Sequence, residues 1–127
     1  MIRILTVDDH PVLREGVASM IQLETDMVVV GEAADGEEAV VRFRELRPDV
    51  TLMDLEMPGV NGVDAIRMIR GEFADARIIC LTTYAGDAQV FQALKAGAAA
   101  YLLKSTLRRE LLDTIRAVYN KGSPGSP

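Results

Sequence analysis

The sequence predicts a doubly wound α/β domain: a five-stranded parallel sheet in the order 2-1-3-4-5, flanked by five helices. Three observations carry this. Short, β-branched apolar runs alternate five times with segments whose apolar residues recur at helical spacing. The runs are apolar on both faces, as in a parallel sheet covered on two sides. Right-handed crossovers then leave few topologies, and 2-1-3-4-5 is the common order for five such units. With 127 residues, the chain fits one buried core and has no room for a second of similar size.

The elements follow in order. Ile2 to Val7 is the first strand, and it stops at Asp8-Asp9-His10-Pro11. Pro11 suits a first helical position, and Val12, Leu13, Val17, Met20 and Ile21 follow at helical spacing. Met27 to Ala33 is the second strand, closed by Asp35-Gly36. Ala39, Val40, Phe43 and Leu46 mark a helix that stops before Pro48. Val50 to Asp54 is a buried strand leading into a loop set by Pro58, Gly59 and Gly62. Val63, Ile66 and Ile69 mark the third helix, with Arg67 and Arg70 expected to face water.

The fourth strand runs from Arg77 to Leu81 and ends in Thr82-Thr83-Tyr84. Val90, Phe91 and Leu94 define the next helix, with Gly97 placed to close it in a left-handed conformation. Ala99 to Leu103 is the fifth strand, ending in Lys104-Ser105. Leu107, Leu111, Ile115 and Val118 share one face of the last helix, an apolar face that could also support dimers. Residues 1–121 thus read as the domain, and residues 122–127, a Gly-Ser-Pro run, as a linker stub or an added tail.

Bulk properties exclude several classes. A net charge of −5 without a dense basic run argues against nucleic-acid binding by this segment itself. No apolar run approaches the roughly 18 residues that span a bilayer, and the start reads directly into structure, so neither membrane insertion nor secretion is expected. The single cysteine, Cys80, sits in an apolar run and suits a reducing cytoplasm. The six methionines are scattered, as core filling would have them.

In a doubly wound sheet, ligands bind beyond the carboxyl ends of the strands, at the switch point between the first and third. There the chain delivers Asp8 and Asp9 from the first strand, Asp54 from the third, Thr82 from the fourth and Lys104 from the fifth. Each alone has an ordinary reading as a helix start, a strand end or a solvated charge. Their convergence decides otherwise. Three crowded carboxylates repel one another unless a hard cation lies among them, and Mg²⁺ suits one or two carboxylates, a carbonyl and retained waters. A carboxylate flanked by that cation and an ammonium group stays ionised and nucleophilic, while both cations neutralise an incoming phosphoryl group. Asp54 is the candidate nucleophile, since the loop after it offers backbone amides and open space; Thr82 can offer a hydroxyl to a phosphoryl oxygen. His10, a lone histidine beside a helix-starting proline, reads as structural.

The stretches Val7 to Gly16, Met53 to Gly62, Leu81 to Tyr84 and Ala96 to Lys104 together resemble the response-regulator receiver domain, a flavodoxin-like fold. The wording around His10-Pro11 and Tyr101-Leu102-Leu103-Lys104 resembles the NarL/FixJ-type branch, whose members usually carry a C-terminal helix-turn-helix DNA-binding domain; none is expected within residues 1–127. The resemblance implies that Asp54 accepts a phosphoryl group from a phosphohistidine on a sensor histidine kinase. It implies Mg²⁺ on Asp9, Asp54 and the Glu56 carbonyl, with Asp8 helping, and Lys104 on the phosphoryl group. Thr82 and Tyr101 would be the switch pair, while the side chains of Glu56 and Tyr84 would border the phosphoryl group and set its lifetime. It further implies Mg²⁺-dependent self-phosphorylation and self-dephosphorylation without turnover of an external substrate, dimerisation on phosphorylation, a cytoplasmic location, and DNA contact only through an attached output domain. Many members have a proline after the lysine, usually with a cis bond; Ser105 stands here and leaves that bond's conformation open.

Three other classes share part of the pattern. A flavodoxin-like cofactor binder would hold phosphate with glycines and hydroxyls in the first loop, where Asp8-Asp9 would repel it. A haloacid-dehalogenase-type phosphatase also uses a strand-end aspartate, faintly matched by Asp54-Leu55-Glu56, but normally needs a larger chain with a cap. A binding module independent of phosphorylation would have no use for the full set of site residues. Flavin absorbance, phosphoester turnover, or binding unaffected by Asp54→Asn would favour these in turn.

Overall fold

The computed structural model describes residues 1–57, 59–83, 86 and 88–121. The sheet is built from β1 (Ile2–Val7), β2 (Met27–Ala33), β3 (Val50–Asp54), β4 (Ile78–Thr82) and β5 (Ala100–Leu103). All neighbouring pairs are parallel, in the predicted order β2-β1-β3-β4-β5. The helices are α1 (Pro11–Gln22), α2 (Gly36–Leu46), α3 (Gly62–Glu72), α4 (Ala88–Ala96) and α5 (Leu107–Lys121), the last entered through a 3-10 turn at Lys104–Thr106. Tyr84, and with it the expectation placed on its side chain, lies outside the described residues, as do Pro58 and residues 122–127.

Strand residues alternate between two cores because successive side chains point to opposite faces. Met53, Ile78 and Cys80 join Val40, Phe43, Ile66, Ile69 and Val90 on the side of α2, α3 and α4. Leu52, Ile79 and Leu81 join Val17, Ile21, Leu111 and Ile115 on the side of α1 and α5. Each such Leu or Ile contributes roughly 1.5–3 kcal/mol by leaving water. Local chemistry ends the helices where the sequence asks. Pro11 opens α1, and Asp35 caps α2 by accepting from the Glu38 amide while Glu38 accepts from the Ala34 amide. Gly97, at φ 116°, closes α4.

Four expectations are corrected. The apolar face of α5 is spent on the sheet, with Leu107, Leu111, Ile115 and Val118 all buried, so it is no dimer surface. On α4, Val90 and Ala93 face the core, whereas Phe91 and Leu94 are exposed. Val12 is likewise exposed, because Leu13, Val17 and Ile21 take the inner stripe of α1. Arg70 does not simply face water; it is half-buried and donates to the Ala74 and Ala76 carbonyls. The Lys104–Ser105 peptide is trans.

Candidate phosphoacceptor and metal site

The register β1-β3-β4-β5 brings the carboxyl ends together. Val7 pairs with Met53, Asp54 with Leu81, and Thr82 with Leu103, so Asp8, Asp54, Thr82 and Lys104 emerge side by side. Asp54 and Thr82 are fully buried, Asp8 is 3% exposed, and Tyr101 is 40% exposed on the edge strand.

The two oxygens of Asp54 have different surroundings. Oδ1 accepts from the Glu56 amide at 2.9 Å and lies 3.1 Å from Lys104 Nζ. Oδ2 is buried without a hydrogen-bond partner, as are Asp8 Oδ2 and Asp9 Oδ1. Burial pushes the Asp54 carboxyl above its ordinary value, and the Asp8 charge adds to this, against the Glu56 amide and Lys104. Burial works against the Lys104 ammonium too, but Asp54 and Glu56 outweigh it and raise its pKa.

Glu56 was expected to contribute its carbonyl; its side chain is also engaged. One oxygen accepts from the Thr83 amide at 3.2 Å, and the other accepts from the Thr83 hydroxyl at 2.9 Å and from Lys104 Nζ at 3.3 Å. Burial opposes its ionisation, but these donors win and lower its pKa. On the other side, the Asp8 carbonyl accepts from Arg14 Nη1 at 2.7 Å, and its Oδ1 accepts from the His10 amide at 2.6 Å. These contacts fix the loop on which both first-strand acids stand.

His10, read from the sequence as structural, stands at the edge of the acid cluster and pairs with Asp8. As the N-cap of α1 it has an extended backbone, and its Nδ1 lies 3.2 Å from Asp8 Oδ1, 3.0 Å from Asp9 Oδ1 and 4.0 Å from Asp54 Oδ2. Its position next to the acid pair was the available signal. Asp8, Asp9, His10 and Asp54 offer ligand atoms all within 4.8 Å of one another. Clustered carboxylates, three of whose buried oxygens have no hydrogen-bond partner, suit a divalent cation, so these residues fit one.

A doubly wound sheet with an acid cluster at its switch point and a lysine paired to the strand-end aspartate defines a class of signalling α/β domain. The chain belongs to the response regulator receiver domain family, whose model matches residues 4–116. It is 45% identical over 124 residues to the transcriptional regulatory protein LiaR of Bacillus subtilis, covering 98% of this chain and 58% of LiaR. It superposes with a TM-score of 0.90 and 41% identity on a two-component response regulator of the LuxR family from Aurantimonas, covering 95% of this chain and 86% of that one. The receiver domain of the response regulator NarL from Mycobacterium tuberculosis gives 0.88 at 35% identity, covering 94% and 96%. These similarities support the NarL/FixJ-type branch. The chain spans about half the length of the curated relatives it matches. Among the described residues, no helix is long and apolar enough to cross a membrane.

Proposed function

We propose that residues 1–121 are a phosphoacceptor switch in a phosphorelay that controls an attached DNA-binding output domain, with 122–127 a linker stub or an added tail. Asp54 attacks the phosphorus of a phosphohistidine on a sensor histidine kinase; an O–P bond forms, the N–P bond breaks, and the imidazole nitrogen recovers a proton from water. Asp8, Asp9, Asp54 and the Glu56 carbonyl hold Mg²⁺, which when bound neutralises charge on the carboxylates and the phosphoryl oxygens. The observation that carries this reading is the surroundings of Asp54: fully buried, one oxygen held by Lys104 and an amide, the other unpartnered beside two more acids.

Lys104 exchanges its contact with Asp54 for a phosphoryl oxygen. Thr82 donates its hydroxyl to another, and Tyr101 leaves its exposed position for the space that Thr82 vacates. To turn a population of about 1:99 into about 99:1, these contacts must favour the active form by about 5.5 kcal/mol. Hydrolysis of the acyl phosphate resets Asp54 without turnover of an external substrate. Dimerisation through a face other than the inner stripe of α5, and a cytoplasmic location, complete the reading.

The test is intact mass after incubation with acetyl phosphate, with and without Mg²⁺, beside Asp54→Asn. A Mg²⁺-dependent gain of one phosphoryl group that the variant lacks is expected. Equal uptake by the variant overturns the assignment of Asp54. In Thr82→Ala, phosphorylation persists while the accompanying spectral change is blunted; an undiminished change removes Thr82 from the switch.

A further inference from the structure

We infer that His10 is a metal ligand, which gives the acidic site a preference for nitrogen-seeking divalent transition ions over Mg²⁺. This rests on the reading of Asp8, Asp9 and Asp54 as a divalent-cation site. The imidazole adds a donor of a different kind. Its Nδ1 lies 3.0 Å from Asp9 Oδ1, 3.2 Å from Asp8 Oδ1 and 4.0 Å from Asp54 Oδ2. Around one ion with bonds of about 2.1 Å, neighbouring octahedral ligands stand about 3.0 Å apart and opposite ones about 4.2 Å apart. Nδ1 is hydrogen-bonded to Asp8 Oδ1 in the structure, and the same spacings match a nitrogen that, in the tautomer with Nδ1 as acceptor, stands adjacent to two aspartates and across from the third.

An independent observation says that this corner is built for a ligand. Asp54 is fully buried and Asp8 nearly so, each has one carboxylate oxygen, Oδ2, without a hydrogen-bond partner, and that of Asp54 lies 4.0 Å from the imidazole Nδ1. Oxygen-only sites suit Mg²⁺, whereas imidazole favours first-row transition ions such as cobalt, nickel and zinc, with affinity for mixed nitrogen and oxygen donors rising through cobalt and nickel to copper and falling again at zinc. The ring approaches from solvent, with its side chain 62% exposed, so it can swing onto an ion or away without disturbing the core. The backbone of His10 is held separately, through its amide to Asp8 Oδ1, so removing the ring leaves the loop anchored.

The chain has a single histidine, which makes the test unambiguous. Its one cysteine, Cys80, is buried with its thiol pushed up to about 11 by burial, and does not compete for metal. Tag-free protein and His10→Ala are each titrated with Co²⁺ and with Mg²⁺, and the Co²⁺ form is observed by proton NMR. Co²⁺ binds the variant about tenfold or more weakly, while Mg²⁺ affinity stays within about twofold. Strongly shifted imidazole resonances appear in the parent protein only. Equal Co²⁺ affinities, or Co²⁺ bound without shifted imidazole signals, overturn the role of His10 and leave the carboxylate site standing if Mg²⁺ still binds. Failure of both ions to bind the parent overturns the cation site and the inference together.

Discussion

Gly62 passes so close to Asp54 that a Cβ at Gly62 would stand 2.4 Å from the Asp54 carbonyl oxygen and 2.8 Å from Leu55 Cα. The start of α3 is therefore docked on the backbone that presents the candidate nucleophile. Nearby Gly59, at φ 71°, supplies the left-handed residue the connecting loop needs. Gly62→Ala must push these backbones apart, at a cost of about 1–3 kcal/mol, typical of overpacking. Denaturant unfolding with an unchanged midpoint would show that the loop yields freely. The phosphorylation rate should fall with stability, because the displaced atoms belong to Asp54 and its neighbour.

Asp54 is expected to trade stability for function, with a defined pH dependence. Burial first, then Asp8, raises its carboxyl above the ordinary value of 3.8, despite the Glu56 amide and Lys104. A carboxyl with a higher pKa in the fold than in the unfolded chain costs stability when ionised. That cost is complete above the folded value and absent below the ordinary one. Asp54→Asn removes the charge and can turn an amide towards the unpartnered oxygens of Asp8 and Asp9. In metal-free buffer the variant should be more stable at neutral pH by on the order of 1 kcal/mol. The gap should close as pH falls through the folded value towards 3.8. A gap that widens in acid would reverse the sign argued here. Added Mg²⁺ should narrow it at neutral pH, since it stabilises only the form that binds it.

Much of this site is legible in sequence because a parallel sheet converts a one-dimensional list of strand ends into one edge. Asp8, Asp9, Asp54, Thr82 and Lys104 could be named from where apolar runs stop. Side-chain direction was not legible in the same way. Phe91 and Leu94 are as apolar as the core residues, yet Val90 and Ala93 face the sheet; composition does not choose between adjacent stripes of a short helix. The imidazole of His10 turns towards the acids because its residue is the extended N-cap of α1, a detail of backbone geometry. The bonds between Glu56 and Thr83 join two strand ends, and no local pattern announces them.

Glu56 shares Lys104 with Asp54, and that sharing has a kinetic consequence. Its carboxylate lies 3.3 Å from Nζ, so an incoming phosphoryl oxygen must compete with it for the ammonium and approach another negative charge. Glu56→Gln keeps the shape and removes the charge. Because the pair is partly exposed, the interaction is worth at most about 1 kcal/mol, or about fivefold in rate. Phosphorylation by acetyl phosphate should accelerate by up to about that factor, measured as the initial rate of mass gain. A slower rate would mean that Glu56 positions Lys104 more than it restrains it.

Arg14 acts on the site through the backbone. Reaching back from α1, its Nη1 donates to the Asp8 carbonyl at 2.7 Å, with Nε 3.7 Å from Glu32 on β2. The guanidinium thus ties the loop bearing both first-strand acids to the helix that follows it, through the Asp8 backbone carbonyl rather than through a carboxylate. Arg14→Ala leaves the Asp8 and Asp9 carboxylates in place chemically but removes the tether on their backbone. Groups that orient metal ligands in this way typically contribute 10–100-fold to affinity. Mg²⁺ binding should therefore weaken by about tenfold, measured by titration, with only a small loss of thermal stability because the residue lies at the surface of the core. Arg14→Lys should recover part of the affinity, since one donor can still reach the carbonyl but cannot hold Glu32 as well. If Mg²⁺ affinity is unchanged in Arg14→Ala, the acids are held by the Asp8 bonds to the His10 amide and the Ala33 carbonyl alone.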